Sequence, residues 1–203
     1  ERFSDVPVRQ EIRGRIHHQL AWLLQISGRG DASLLHFKNA LSIFKGAQRS
    51  KESEVLGCIA FHHREHGRID EARSFYEQAI NIHEEMGDRG GMGNVLGSFG
   101  HIHRDQGDTQ AALACFQEAL AIHKDVQNRN GEALNLGNIA IVYHENGQIE
   151  DAAEHYEAAL TIHRDLGNLR NEGIILGNLA ILHQVQGNIS DGLTLAHEAL
   201  AIH

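Results

Sequence analysis

Sixteen histidines and two cysteines are the side chains of this 203-residue sequence best suited to metal or nucleophilic chemistry. Metal binding is the first chemistry to weigh. His83, His123, His163 and His203 recur at one phase, 40 residues apart. Zinc holds its ligand nitrogens at about 2.1 Å, whereas helices one repeat apart are spaced by about 10 Å or more. A single row of that kind does not converge on an ion. His17-His18, His62-His63 and the pair His101/His103 do not give the i, i+4 spacing on one helix face. No metal site is expected. Cys58 and Cys115 sit at different phases, and a secreted disulfide framework carries more cysteines in a short chain; both read as reduced residues in or near a core. No phosphate loop, nucleophile elbow or dinucleotide glycine motif is present. Neither catalytic residues nor a cofactor are expected, and the chain reads as a non-enzyme.

The elements behind these residues are set by a repeat. Gly67, Gly107, Gly147 and Gly187 are each 40 residues apart. Ala72, Ala112 and Ala152 follow at a fixed offset, then Tyr76, Phe116 and Tyr156, then Ala79, Ala119, Ala159 and Ala199. A constant period of this size signals stacked supersecondary units. Within one unit, Val95, Leu96, Phe99, Ile102 and His103 fall at helical spacing and stop before Gly107, which suits a left-handed C-terminal cap. Asp108 or Thr109 then offers an N-cap oxygen to the next run. The same reading is applied at Gly67-Arg68, Gly147-Gln148 and Gly187-Asn188. Polar joints at Gly87-Asp88-Arg89, Gln127-Asn128-Arg129 and Gly167-Asn168-Leu169 close one hairpin and start the next. Gly28 to Gly67 is 39 residues, so one residue is lost, placed here near Gln48 to Lys51. Five units result, spanning about 8–48, 50–87, 89–127, 129–167 and 169–203 within a single solenoid over 1–203. The fold class is all-α, a right-handed α-α superhelix of five helix-turn-helix units. Ala60, Gly100, Ala140 and Ala180 on first helices, with Ala79, Ala119, Ala159 and Ala199 on second helices, let helix axes approach closely. His63, His103 and His183 share the phase of Tyr143 and read as packed, hydrogen-bonded core residues.

Composition narrows the function classes. The net charge is −9 with histidine neutral, and no cluster of five or six basic residues exists, which argues against nucleic acid. No run approaches the roughly 18–20 apolar residues of a membrane span, and no signal peptide is visible. The expectation is a cytoplasmic protein, and a fragment of something longer, since the sequence stops inside a helical pattern.

These residues resemble the tetratricopeptide repeat. The resemblance rests on Ile139-Ala140, Tyr143, Gly147, Ala152, Tyr156 and Ala159-Leu160, and again on Leu179-Ala180, His183, Gly187 and Ala199-Leu200. The usual unit of that family is about 34 residues. The 40-residue unit, with Gly-Asp or Gly-Asn where the family carries proline after its second helix, is similar to the subgroup seen in kinesin light chains and many bacterial signalling proteins. The resemblance implies that the first helix of each hairpin lines a concave groove that binds a partner peptide or helix. Carried over by position, the groove residues are Asn94, Ser98, His101 and Arg104 in the third unit. In the fourth they are Asn138, Ile141 and His144, and in the fifth Asn178, Ile181 and Gln184. Asn138 and Asn178 stand out because an amide pairs with a peptide backbone as donor and acceptor; the alternative is an asparagine bound to water or to the neighbouring helix. Gly57, Gly97, Gly137 and Gly177 fall mid-helix, at a cost of about 1 kcal/mol each relative to alanine. They mark either close approach of a bound chain or close packing against the adjacent first helix, and packing is favoured here. Arg64 and Arg104 stand beside Glu65 and Asp105, so a strict carboxylate clamp is not expected.

The leading functional expectation is a protein–protein interaction scaffold. The alternative is a regulatory or self-assembly domain of a larger bacterial signalling or transcription-regulating protein. Leu193, Leu195, Ala196, Leu200 and Ile202 lack a following helix, and terminal repeats need a polar outer face. That predicts further repeats in a parent protein or a homodimer through the fifth repeat.

Overall fold

A computed structural model describes residues 5–202 of the chain; His203, the last member of the histidine row, lies outside them. The described residues form ten α-helices joined by short turns, with no strand among them. They are α1 Asp5–Ile26, α2 Gly30–Phe44, α3 Arg49–Glu65, α4 Ile69–Met86, α5 Arg89–Asp105, α6 Thr109–Asp125, α7 Arg129–Glu145, α8 Ile149–Asp165, α9 Leu169–Val185 and α10 Ile189–Ile202. Consecutive helices pair into five hairpins, as the glycine period predicts. The chain forms two compact units, Glu1–Ser98 and Phe99–His203, and α5 contributes to both.

In the first unit α1 packs on α2, α2 on α3 and α3 on α4. Its core holds Ala21, Phe37, Ala40, Phe44, Val55 and Ile59. In the second unit α6 packs on α7, α7 on α8, α8 on α9 and α9 on α10. One core there gathers Leu136, Ala140, Tyr156, Ala159, Leu176 and Leu179, and another joins Phe116 to Ile139 and Val142. The small residues let the helices meet: Ala60, Ala79, Ala119, Ala140 and Ala159 are fully buried. A Cβ on Gly100 would stand 2.5 Å from the Phe116 ring, so the aromatic fills the space that the glycine leaves.

The turn inside each hairpin rests on glycine; Gly107 has φ +77, a region that costs an L-residue roughly 1–2 kcal/mol. Side-chain capping is more selective than the sequence suggests. Asp108 accepts from the Ala111 amide, but Arg68 and Gln148 cap nothing; an arginine has no acceptor, and the Gln148 amide donates to Asp151 instead.

The joints between hairpins carry chemistry the spacing did not reveal. His83 Nδ1 donates to Asp88 Oδ2 at 2.9 Å, while Asp88 Oδ1 accepts from the Gly91 amide at 2.9 Å. One residue thus ends α4 through the histidine and begins α5 as its N-cap. The next joint repeats the device with an amide. Asn128 Nδ2 donates to His123 Nδ1 at 3.2 Å, and Asn128 Oδ1 accepts from Gly131. Glycine is required at that position, because a Cβ on Gly131 would lie 2.5 Å from the His123 ring. In the following joint Asn168 still accepts from Asn171, but His163 Nδ1 has no hydrogen-bond partner. The first joint differs: Glu52, buried, accepts from the Gly46 amide and from Arg49. The missing residue lies in α2, not near Gln48 to Lys51. From Gly28 to Gly46 is 18 residues, against 20 from Gly67 to Gly87, and one residue is regained after Gly46.

Candidate functional site

The first unit contains a cleft of about 590 Å³. First helices α1, α3 and α5 supply Trp22, Glu54, Phe61, Asn94 and Ser98, and Tyr76 comes up from α4. Trp22 is held edge-on against buried Phe37, with ring centroids 5.9 Å apart, and lies 6.3 Å from the Phe61 ring. The Arg64 guanidinium sits 5.3 Å from the Phe61 centroid, a cation–π arrangement. Two aromatic faces therefore border a wall that carries amide, hydroxyl and carboxylate groups. Gly57 lies in this wall, and a Cβ there would meet nothing within 4 Å. Asn94 is exposed and accepts through its backbone carbonyl from Ser98 Oγ at 3.1 Å. Burial raises the Tyr76 phenol above its ordinary value, against the opposing effect of a hydrogen bond with Ser98.

Cys58 and His18 meet in the same unit, Sγ 3.5 Å from Nε2. This pair is not an activated nucleophile. Burial pushes the Cys58 thiol up to about 12, and the Glu54 carboxylate adds to the shift; a protonated thiol attacks nothing. Burial also lowers His18, partly offset by Glu54.

One histidine pair was missed by sequence reasoning. His62 and His66 are at i, i+4 on α3 and stack with centroids 4.1 Å apart. His62 is fully buried, and its Nδ1 donates to Gln25 Oε1 at 3.0 Å, leaving Nε2 without a partner. His66 Nδ1 donates to the His62 carbonyl at 2.7 Å. Burial, reinforced by His66, Arg68 and His63, lowers His62 to about 4. His63 is packed as expected, stacked on Phe75 with centroids 5.4 Å apart, but its Nδ1 makes no hydrogen bond, nor does that of His183. The Phe75 ring packs against His63 where the expected hydrogen bond at Nδ1 is missing. Among the described residues no three of His, Cys, Asp and Glu gather around a common point.

In the second unit the residues expected to line a groove spread along α5, α7 and α9. His101 meets the Phe116 ring edge-on at 5.1 Å. Arg104 lies 3.7 Å from Asp105. Asn138 and Asn178 are half-buried. Ile141 packs against the larger core, and His144 is half-buried. Ile181 and Gln184 line a separate cleft of about 610 Å³ between α9 and α10. The two clefts thus bring together Asn94 with Ser98, and Ile181 with Gln184. Packing does not explain the mid-helix glycines as a set. A Cβ on Gly137 would stand 3.3 Å from Ile175, but Gly57 and Gly177 face open space. Trp22 was overlooked because the first unit is one residue short; shifted by 39 instead of 40, it occupies the phase of Phe61. No helix among the described residues is long and apolar enough to cross a membrane.

Comparison with known proteins gives a consistent picture. The tetratricopeptide repeat family model matches residues 51–125, 91–165 and 131–203. No curated protein matches the sequence. Among solved structures, the chain is similar to BtubC (BKLC) from P. vanneervenii, with TM-score 0.79 and 19% identity over 98% of this chain and 83% of that one. It is similar to the nearly identical TPR-like repeats of a putative kinesin light chain from Podosopora anserina, with TM-score 0.67 and 19% identity over 95% of each chain. Aspartyl phosphate phosphatase F from Bacillus subtilis aligns with TM-score 0.71 and 12% identity, over 95% of this chain and 60% of its own.

Proposed function

The chain belongs to the tetratricopeptide repeat family, and from that premise we propose that it is a non-catalytic scaffold that binds a partner peptide or helix along the faces of its first helices. Repeats of this family generally mediate protein–protein interaction. The observation that carries the reading is the cleft of the first unit, where Trp22 and Phe61 border Asn94 and Ser98. An apolar side chain of the partner stacks against the rings, since the few residues that dominate interface energy are enriched in tryptophan and tyrosine. The backbone of the partner pairs with side-chain amides. Gly57, with nothing over it, leaves room for close approach of the bound chain. In the second unit Asn138 and Asn178 offer the same amide chemistry from α7 and α9, with Ile141 and Ile181 beside them.

Selecting peptides from a displayed library against the immobilised protein, then measuring Kd by fluorescence anisotropy, tests this. Each amide hydrogen bond contributes about 1 kcal/mol, roughly five-fold in Kd. Asn94→Ala and the Asn138→Ala/Asn178→Ala pair should each weaken the selected peptides, and Trp22→Ala should weaken them most. Peptides whose affinity survives all three variants would place binding elsewhere.

A further inference from the structure

Three departures from the repeat coincide at the end of α3. The later hairpins carry Ile102, Val142 and Leu182 at the position of His62, and Gln106, Asn146 and Gln186 at that of His66. The second helices α4, α6, α8 and α10 begin at Ile69, Thr109, Ile149 and Ile189, whereas α2 begins at Gly30. A buried imidazole in place of an aliphatic side chain is unfavourable unless its polar atoms are satisfied, so packing alone does not account for His62.

The hydrogen bonds put both rings in the same posture. His62 Nδ1 donates to Gln25 Oε1 on α1, and His66 Nδ1 donates to the His62 carbonyl. In each neutral ring Nε2 is then the nitrogen with the free lone pair. That of His62 is buried with no partner, which is costly and which an ion or a water relieves. Histidine ligands ordinarily donate the other ring N–H to an oxygen, fixing tautomer and orientation, and both rings already do so. The spacing agrees, since i, i+4 on one helix face is how a single helix gives two imidazoles to one ion. Gly30 provides the room. A Cβ there would lie 2.9 Å from His66 Nε2 and 3.2 Å from His62 Cε1, the atom bonded to His62 Nε2. Both free nitrogens therefore border the space that a side chain at this position would fill, and exposed His66 opens it to solvent. Charge is divided there: Asp31, in the first turn of α2, favours a cation and Arg68 opposes one. His63 turns away to stack on Phe75.

We infer that His62 and His66 bind one divalent transition-metal ion, of the class to which zinc belongs, through their two Nε2 atoms over Gly30, with water completing the coordination. Imidazole ligands suit such ions. The ion holds the end of α3 against the start of α2, and through the Gln25 hydrogen bond against the end of α1. This goes beyond the scaffold reading and does not depend on it.

Titrating zinc(II) alone into the whole 15N-labelled chain, in metal-free buffer, tests the site through the long-range nitrogen–proton spectrum of the histidine rings. The Nε2 signals of His62 and His66 should move together with the first equivalent, while their Nδ1 signals stay close to their starting positions. Gln25→Ala removes the acceptor that orients His62, and loss of such a supporting group costs about 10–100-fold in metal affinity. Calorimetry should show a loss in that range for Gln25→Ala, and at least as large a loss for His66→Ala, which removes a ligand at an exposed position. Gly30→Ala fills the space without touching either ligand and should weaken zinc as well. Helix content by circular dichroism checks folding, and His66→Gln replaces His66→Ala if alanine lowers it. A His62 Nε2 signal that zinc leaves unmoved, affinity that survives His66→Ala, or zinc held by other exposed histidines only would each overturn the proposal.

Discussion

His62 is the residue whose environment departs furthest from its neighbours in the repeat. Ile102, Val142 and Leu182 stand at its position in the later hairpins, all buried and apolar. The imidazole keeps one hydrogen bond, to Gln25, and is lowered from 6.5 to about 4, burial being the largest cause. A base lowered by folding stays neutral in the native state while the unfolded chain takes up the proton. The contribution is complete above about pH 6.5, falls as the pH drops, and is spent near pH 4, a loss on the order of 3 kcal/mol. His17, His18, His63, His123 and His163 are lowered in the same sense, each mainly by burial. Stability should therefore decline between pH 6.5 and pH 4. His62→Leu, which restores the residue type of the other repeats, should flatten that decline. Urea midpoints measured across this range check it; equal pH slopes for wild type and variant would show that His62 does not carry the proton linkage.

At the scale of the helix, glycines in one element type have opposite roles. Gly57 and Gly177 sit in α3 and α9 with open space where a Cβ would go. Alanine there should stabilise the protein by about 0.5–1 kcal/mol through helix propensity alone. Gly100 lies in α5 under buried Phe116, and Gly100→Ala should destabilise it by about 1–3 kcal/mol through overpacking. Urea denaturation of the three variants decides; a lowered midpoint for Gly57→Ala would mean that the open space is filled in solution. This contrast marks the limit of sequence reasoning. The hairpins were readable because the turn glycines answer to a local backbone requirement that returns every 40 residues. The role of a mid-helix glycine depends on what lies across from it, and that partner comes from another helix. The joints follow the same division. Their positions were visible in Gly87-Asp88 and Gln127-Asn128, but the pairing of Asp88 with His83 and of Asn128 with His123 spans the end of one helix and the start of the next. Gln127 shows how strong that frame is, since it holds φ +56 where the equivalent joints use glycine. Within the candidate site the phases of Asn94 and Ser98 were legible, while Trp22 was hidden by the shortened α2.

At the scale of the whole chain, stability in a repeat protein is a sum of unit terms and nearest-neighbour contacts. The α9–α10 hairpin has a neighbour on one side only among the described residues, and Leu193 and Leu200 are 57 and 73% exposed. Its opening free energy should fall below that of α7–α8, which has packing partners on both sides. Hydrogen exchange at low concentration should show α10 amides exchanging before those of α8; equal protection in the two helices would contradict this. The joints have a further consequence. Each histidine–Asx lock is complete within nine residues, His83 to Gly91 and His123 to Gly131, and asks nothing of more distant sequence. A gene segment cut at two such locks encodes a cassette that already carries its own fastening. Unequal recombination at these points would lengthen or shorten the array in whole steps, and the exposed positions of each copy could diverge while the fastening stays the same.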